Sequence, residues 1–81
     1  MNMKKMYITI KDAHDIATFA NHASKVDGDV TCKRGKYVID GKSIMGIFSI
    51  DTSEGMIVEY PENSIEFEQY ISQFKKHGVE V

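Results

Sequence analysis

Residues 41–49 read GKSIMGIFS, and this stretch decides how the rest of the chain is interpreted. Ser43 is a good helix N-cap because its hydroxyl can accept a hydrogen bond from a backbone N–H of the first turn. Ile44, Met45, Ile47 and Phe48 then follow within six positions of the cap. The segment predicts a short helix of about one to two turns.

A hairpin of two strands is predicted just before this helix. Val30 and Cys32 alternate with polar residues and share one strand face. Gly35 makes the turn, and Tyr37 and Ile39 are predicted to continue the inward face on the returning strand.

A longer helix, from about Ala13 to Val26, is predicted upstream of the hairpin. Asp12 can cap it, and Asp15 at the third helical position repeats part of a capping box. Its apolar face consists of Ile16, Phe19, Ala20, Ala23 and Val26. Residues 27–29, with Gly28 at their centre, are predicted to end it.

Alternating apolar residues predict one strand at each end of this pattern. The first contains Met6, Ile8 and Ile10, and the last contains Met56, Val58 and Tyr60, closed by Pro61.

A terminal helix is predicted after Pro61, with Asn63 as its cap in a capping box over residues 63–66. Its inward stripe consists of Phe67, Tyr70, Ile71 and Phe74. Lys75, Lys76 and His77 suit its C-terminal end, and Gly78 is predicted to terminate it.

The predicted element order is β-α-β-β-α-β-α. Alternating strands favour a sheet that is covered on one side only, and therefore an antiparallel or mixed sheet with helices on one face. The chain of 81 residues is long enough for one domain, residues 1–81. The fold class is therefore α+β, a two-layer open-faced β-sandwich.

The charge pattern argues against nucleic acid as a partner. Ten basic residues face twelve acidic ones, and the formal net charge is −2. A duplex-binding protein gathers lysines and arginines on one face, whereas the basic cluster at residues 33–36 surrounds Gly35 at a hairpin tip.

Composition also bears on the compartment. No apolar run approaches the roughly 20 residues needed to span a bilayer, and the lysines near the start are not followed by an apolar signal segment. Cys32 is the single cysteine, so no intramolecular disulfide or cysteine-based zinc site is possible. We expect a cytoplasmic protein with no membrane partner, metal or cofactor, and Cys32 as a small core residue.

The stretch at residues 41–49 resembles the K-S-I-M-G-V-M-S segment of the histidine-containing phosphocarrier (HPr) family of the bacterial phosphoenolpyruvate-dependent sugar phosphotransferase system. The segment at residues 17–19 and the Gly35 hairpin add weaker likeness, and the element order matches over the whole chain. The resemblance implies a four-stranded antiparallel sheet with three helices on one face. It also implies proteins of the phosphotransferase system as partners.

HPr proteins carry a phosphoryl group on a histidine at the start of the first helix, within H-A-R-P-A. The interval to Ser43 places Asp12 at the histidine, His14 at the arginine and Asp15 at the proline. The loop at residues 8–11 is also shorter than in the family. A carboxylate at this point repels the incoming phosphate, so the resemblance implies a degenerate phosphohistidine site.

Three interpretations of Asp12 are open. It can be a plain N-cap, which we favour, a charge mimic of a phosphorylated family member, or an acyl-phosphate site. His14 can be a relocated nucleophile or, more simply, a solvated residue of the first turn. His22 and His77 are predicted to be surface residues.

Ser43 has two interpretations as well. It can be a plain N-cap, or, as the resemblance implies, a regulatory serine phosphorylated by an ATP-dependent HPr kinase. Ile44, Met45 and Phe48 cannot all be buried on one short helix, so core packing is expected mainly for Ile47. We favour an apolar docking patch for the other three, because methionine and phenylalanine adapt to several partners.

The sequence therefore predicts a non-enzymatic regulatory or interaction protein of the HPr type. Its partners are expected to be phosphotransferase-system components, HPr kinase or a transcriptional regulator. An active phosphocarrier using His14, or an HPr-fold binding module with an unrelated role, are the alternatives.

Overall fold

The computed structural model describes residues 2–76, and the element order in this part of the chain agrees with the prediction. The elements are β1 (Met3–Ile8), α1 (Ala13–Ser24), β2 (Thr31–Arg34), β3 (Tyr37–Asp40), α2 (Ile44–Phe48), β4 (Met56–Pro61) and α3 (Ile65–Ile71). Two short 3-10 turns, Thr52–Glu54 and Ser72–Phe74, precede β4 and follow α3.

The four strands form one antiparallel sheet with the order β1-β4-β2-β3. Val58 of β4 lies opposite Met6 on one side and Cys32 on the other, which fixes the register across the three neighbouring strands. The three helices cover one face. The predicted two-layer α+β architecture with a four-stranded antiparallel sheet is confirmed.

The core lies between the helices and the covered face of the sheet. Alternate residues of β4 point into it, and the rings of Phe19 and Phe67 meet edge to face with centroids 5.7 Å apart. The buried apolar residues are Ile8, Ile10, Ile16, Phe19, Ala20, Ala23, Val30, Cys32, Ile47, Met56, Val58, Tyr60, Phe67 and Ile71. Complete burial of one such large side chain stabilises the fold by about 1.5–3 kcal/mol.

Two predicted boundaries are corrected by the structure. Helix α1 ends at Ser24 and not at Val26, because the N–H groups of Lys25 and Val26 donate to carbonyls only three residues back. Strand β1 ends at Ile8 and not at Ile10, because the backbone of Ile10 leaves β4 and bonds to Thr52.

Two predictions about side chains are corrected. Tyr37 shares the sheet face of Ile39, as predicted, but it is 55% exposed and outside the core, because it lies at the hairpin end of the edge strand β3. Asn63 does not cap α3: the helix begins at Ile65, and Ser64 at the cap position makes no side-chain cap bond. The predicted termination at Gly78, and the surface position of His77, lie outside the described residues.

Candidate functional site

Asp12 lies at the N-cap of α1, as the sequence predicts. Its backbone is extended (φ −110°, ψ 129°), and its carboxylate accepts a hydrogen bond from the backbone N–H of His14 at 2.8 Å. The carbonyl of Asp12 also accepts from the N–H of Ile16 at 3.2 Å. The carboxylate thus occupies a backbone donor that a helix otherwise offers to an anion.

The chain reaches this cap through a segment fixed by Thr52. The N–H of Ile10 donates to the carbonyl of Thr52 at 3.1 Å, and the Thr52 hydroxyl donates back to the carbonyl of Ile10 at 2.7 Å. Thr52 is 4% exposed, so this pair of bonds is shielded from water. Sequence reasoning missed Thr52, because a threonine in a polar loop gives no local signal of such a contact.

The other two residues of the predicted site lie on the first turn of α1. His14 is exposed, and its carbonyl accepts a hydrogen bond from the Thr18 hydroxyl at 3.0 Å. Asp15 is half-buried. The pKa of Tyr70 on α3 is raised mainly by the burial of Tyr70, and the nearby charge of Asp15 raises it further. The turn therefore brings together Asp12, His14 and Asp15, with two carboxylates and one imidazole.

The arginine of the chain is engaged elsewhere. Arg34 on β2 donates from Nη1 to the carbonyl of Gly55 at 3.0 Å. The pKa of Asp51 is lowered chiefly by its hydrogen bond from the Ser53 hydroxyl, with a smaller contribution from the Arg34 charge. The guanidinium group, a planar fork that binds phosphate in many proteins, is thus bonded to a backbone carbonyl of the segment before β4.

Ser43 caps α2 as predicted. Its Oγ accepts a hydrogen bond from the N–H of Gly46 at 3.1 Å, and its carbonyl accepts from the N–H of Ile47 at 3.0 Å. The cap explains the position of Ser43 in the fold. Its regulatory phosphorylation stays a prediction.

Gly46 allows α2 to approach β3 closely. A Cβ at this position would lie 2.7 Å from Cγ2 of Ile39 and 3.1 Å from Oγ of Ser43. A glycine here therefore sets both the packing of α2 on the sheet edge and the geometry of the Ser43 cap.

Three apolar residues of α2 form an exposed group, which we call the α2 surface and define as Ile44, Met45 and Phe48. Their exposed fractions are 39%, 81% and 49%, whereas Ile47 of the same helix is completely buried. The expected division between core and surface is confirmed. Docking of partners on the α2 surface stays a prediction.

The remaining candidates contribute no chemistry at this site. Burial, and then the charge of Asp40, raises the pKa of the Cys32 thiol to about 12, in agreement with its core position. His22 is half-buried and not a free surface residue, because its ring stacks on Tyr70 with centroids 3.7 Å apart.

Two further features concern residues 2–76 alone. No group of three or more histidine, cysteine, aspartate or glutamate side chains is arranged there to hold a metal ion. In the same part of the chain no helix combines the length and the apolar character that a membrane crossing needs.

Solved structures with the same fold include HPr proteins. HPr-C-His from Thermoanaerobacter tengcongensis is 27% identical and superposes with a TM-score of 0.70, with 100% of both chains covered. The chain has the fold of HPr proteins and is similar to them.

Two other solved structures show the same fold at lower identity. The phosphocarrier protein HPr of Bacillus anthracis is 22% identical, with a TM-score of 0.66 over 93% of this chain and 96% of that one. The histidine-containing phosphocarrier protein of a mycoplasma is 23% identical, with a TM-score of 0.66 and 89% of each chain covered. No protein-family model matches this HPr-like sequence, and no curated protein sequence does.

Proposed function

We propose that this HPr-like chain is a protein of the phosphotransferase system that acts by docking on partners and carries no phosphoryl group on a histidine. Its structural neighbours include proteins named as phosphocarriers, which supports the link to that system. The observation that carries the proposal is the hydrogen bond that the Asp12 carboxylate accepts from the backbone N–H of His14 at the start of α1.

The electrostatics of the α1 turn oppose phosphoryl transfer. A phosphate brought to about 4 Å from one carboxylate is repelled by about 4 kcal/mol at an effective dielectric constant of 20, or about three decades in an equilibrium constant. Asp15 adds a second negative charge in the same turn, and Arg34 is bound to Gly55 instead of serving here. A phosphohistidine relay requires positive potential at this place.

The α2 surface is the docking site in this proposal. Met45 is the most exposed of its three residues. The three are neighbours on one helix, and a contiguous exposed apolar patch is typical of a protein contact. The partners we expect are phosphotransferase-system components, HPr kinase or a transcriptional regulator.

Ser43 would regulate this docking. Its Oγ is held by the Gly46 N–H, and a phosphate on that oxygen could accept the same donor without unfolding α2. The phosphate would place negative charge beside Ile44. It would weaken the binding of partners that present negative charge and strengthen the binding of partners that present positive charge.

A phosphocarrier that uses His14 is the second candidate. The exposure of His14 on the first turn of α1 favours it, since a nucleophilic imidazole must be reachable by its donor. In this alternative Asp12 orients the turn through its bond to the His14 backbone. A third possibility is an HPr-fold module with an unrelated binding role.

Two labelling reactions separate these candidates. With phosphoenolpyruvate, enzyme I and radiolabelled phosphate, we expect no acid-labile label on the chain beside a labelled HPr control. Label that is lost in His14→Ala would overturn the proposal in favour of the carrier. With ATP and HPr kinase, we expect acid-stable label that disappears in Ser43→Ala.

A matched pair of variants tests the docking surface. Met45→Glu should reduce labelling by HPr kinase at least about tenfold, because a charge enters the apolar contact. Ile65→Glu is the control, since Ile65 is also exposed (64%) but lies on α3. Equal loss in both variants, or none in either, would contradict docking through α2, and absence of label in both reactions would favour the unrelated binding role.

A further inference from the structure

Strand β3 lies at one edge of the sheet and is largely exposed. Within residues 2–76 it pairs with β2 alone, in the strand order β1-β4-β2-β3. Tyr37 and Val38 are 55% and 64% exposed, and Asp40 is exposed as well. Helix α2, which packs on β3 through Gly46 and Ile39, therefore does not cover this edge.

The backbone bonds beside β3 show which of its groups point outward. The N–H of Gly41 donates to the carbonyl of Val30 at 2.7 Å, so the backbone groups of Gly41 point towards β2. Because these groups alternate along a strand, those of Asp40 and Val38 point away from β2. The carbonyl of Asp40 accepts the N–H of Ser43 at 3.0 Å. The N–H and C=O of Val38 and the N–H of Asp40 can therefore receive a further strand.

Residues 77–81 are too few to occupy this edge. They follow Lys76, whose N–H bonds to Tyr7 at the opposite edge of the sheet. The position outside β1 and the position outside β3 are five strand spacings apart, which is about 24 Å. Five residues extend over at most about 18 Å. Met1, a single residue beside Asn2 at the start of β1, reaches less far still.

The sequence of β3 lacks the charges that keep edge strands apart. It reads YVID, without a lysine, whereas the other edge strand, β1, reads MKKMYI. Lysines on an edge strand oppose pairing between copies of a protein because they bring like charges together. On β3 only the shortness of the strand limits such pairing.

The outward residues of β3 complement themselves in an antiparallel pair of strands. With a two-fold axis at Val38, the Val38 residues of two copies lie opposite each other and can exchange two backbone bonds. Lys36 then lies opposite Asp40 of the second copy on each side of the axis. Tyr37 lies opposite Ile39 of the second copy. The pairing thus joins opposite charges on the face of Val38 and apolar groups on the other face.

Other registers fit the edge less well. With the axis at Ile39, Val38 would lie opposite Asp40 of the second copy, and their backbone bonds would need the Asp40 carbonyl. Ser43 of the same chain already donates to that carbonyl. The axis at Val38 requires no group that is bonded in residues 2–76.

The neighbouring lysines are engaged within the chain. Lys33 pairs with Glu59 at 2.7 Å, and the Lys42 ammonium donates to the carbonyl of Val26 at 3.0 Å. The backbone N–H of Lys42 also donates to the Asp40 carboxylate at 2.9 Å, which holds that carboxylate at the edge.

We propose that a second copy of this chain pairs with the outer edge of β3, so that two four-stranded sheets join into one sheet of eight strands. Backbone bonds between the two Val38 residues would hold the strands together, and the pairs of Lys36 with Asp40 would select the register. Two four-residue strands bury less surface than a standard protein interface, so association should depend on concentration. The pairing uses no residue of the α2 surface.

Sedimentation equilibrium of the full chain at increasing concentration tests the proposal. The weight-average mass should rise from that of one chain towards that of two. Val38→Lys places two like charges at the axis and should weaken association at least about tenfold. Met3→Lys is the matched control and should leave association unchanged, because Met3 is an exposed apolar residue (44%) on the other edge strand.

A charge exchange tests the register. Lys36→Glu places a carboxylate opposite Asp40 of the second copy, and Asp40→Lys places an ammonium group opposite Lys36. Each variant alone should therefore associate at least about tenfold more weakly than the parent chain. An equal mixture of the two variants restores both pairs of opposite charge and should associate more tightly than either variant. Circular dichroism establishes that each variant is folded.

Three outcomes would overturn the proposal. The first is a mass that stays that of one chain up to about 1 mM. The second is an equal loss of association in Val38→Lys and Met3→Lys, or no loss in either, since the contact would then lie elsewhere. The third is a mixture of the folded charge variants that associates no better than its components, since Lys36 would then not face Asp40 of a second copy.

Discussion

The carboxylate of Asp12 and the backbone N–H of His14 lie 2.8 Å apart at the start of α1. One of the backbone N–H groups that a helix leaves free at its start is thereby satisfied by the side chain of the N-cap residue. The same bond stabilises the fold and places a negative charge at the turn where an anion would otherwise bind.

Replacement of Asp12 measures the cap separately from the charge. Asp12→Ala removes the acceptor, and we expect a loss of about 1 kcal/mol in the free energy of unfolding, measured by urea denaturation. Asp12→Asn keeps an acceptor of similar cap strength, and it should stay within about 0.5 kcal/mol of the parent chain. A large loss in Asp12→Asn would mean that the interaction of the charge with the helix, and not the cap, stabilises the turn.

Thr52 is expected to hold the segment that leads into α1. Thr52→Val keeps the shape of the side chain but leaves the buried carbonyl of Ile10 without its hydroxyl donor, which should cost about 1–3 kcal/mol of stability. Thr52→Ser, the matched control, keeps the hydroxyl and should cost less. If thermal or urea unfolding shows Thr52→Val to be as stable as the parent chain, the hydrogen bond from the hydroxyl does not hold this segment.

The parts of this molecule that local sequence patterns determine were predictable. An N-cap such as Ser43 or Asp12 is set by residues within one turn, and the burial of Ile47 follows from helical spacing. The alternation of Met56 and its neighbours in β4 similarly fixes which strand face is covered.

The features that the sequence did not predict depend on contacts between distant segments. Thr52 contacts Ile10, 42 positions away, and Gly46 lies against Ile39 of another element. Tyr37 follows the alternating pattern, but it is exposed because β3 is the edge strand, and strand order is a property of the whole sheet. Local spacing contains no information on any of these.

Gly46 is expected to tolerate no side chain. In Gly46→Ala the new Cβ would meet Cγ2 of Ile39, a methyl on a β-branched side chain that has little freedom to move. We expect a loss of about 1–3 kcal/mol in urea denaturation from this overpacking. Met45→Ala, on the same helix but 81% exposed, should change stability by less than about 0.5 kcal/mol. Equal stability of the two variants would contradict close packing of α2 on β3.

Glu68 is expected to make stability depend on acid pH. Its carboxylate accepts from the Tyr60 hydroxyl at 2.7 Å and from the Lys4 ammonium at 3.1 Å, and these contacts hold the pKa of Glu68 below its ordinary value of 4.5. A carboxyl whose pKa is lower in the folded state stabilises the fold fully above its unfolded pKa and loses that contribution as pH falls through the folded value. Glu68→Gln removes this titration.

The free energies of unfolding of the parent chain and Glu68→Gln should therefore differ most near neutral pH, with the parent more stable, and should converge as pH falls below about 4.5. Tyr60→Phe removes the larger cause of the lowered pKa, so its loss of stability relative to the parent should also shrink on acidification. Urea denaturation at a series of pH values between neutral and strongly acidic measures both differences. A difference that stays constant over the whole range would show that the carboxyl of Glu68 is not held in its ionised form by the fold.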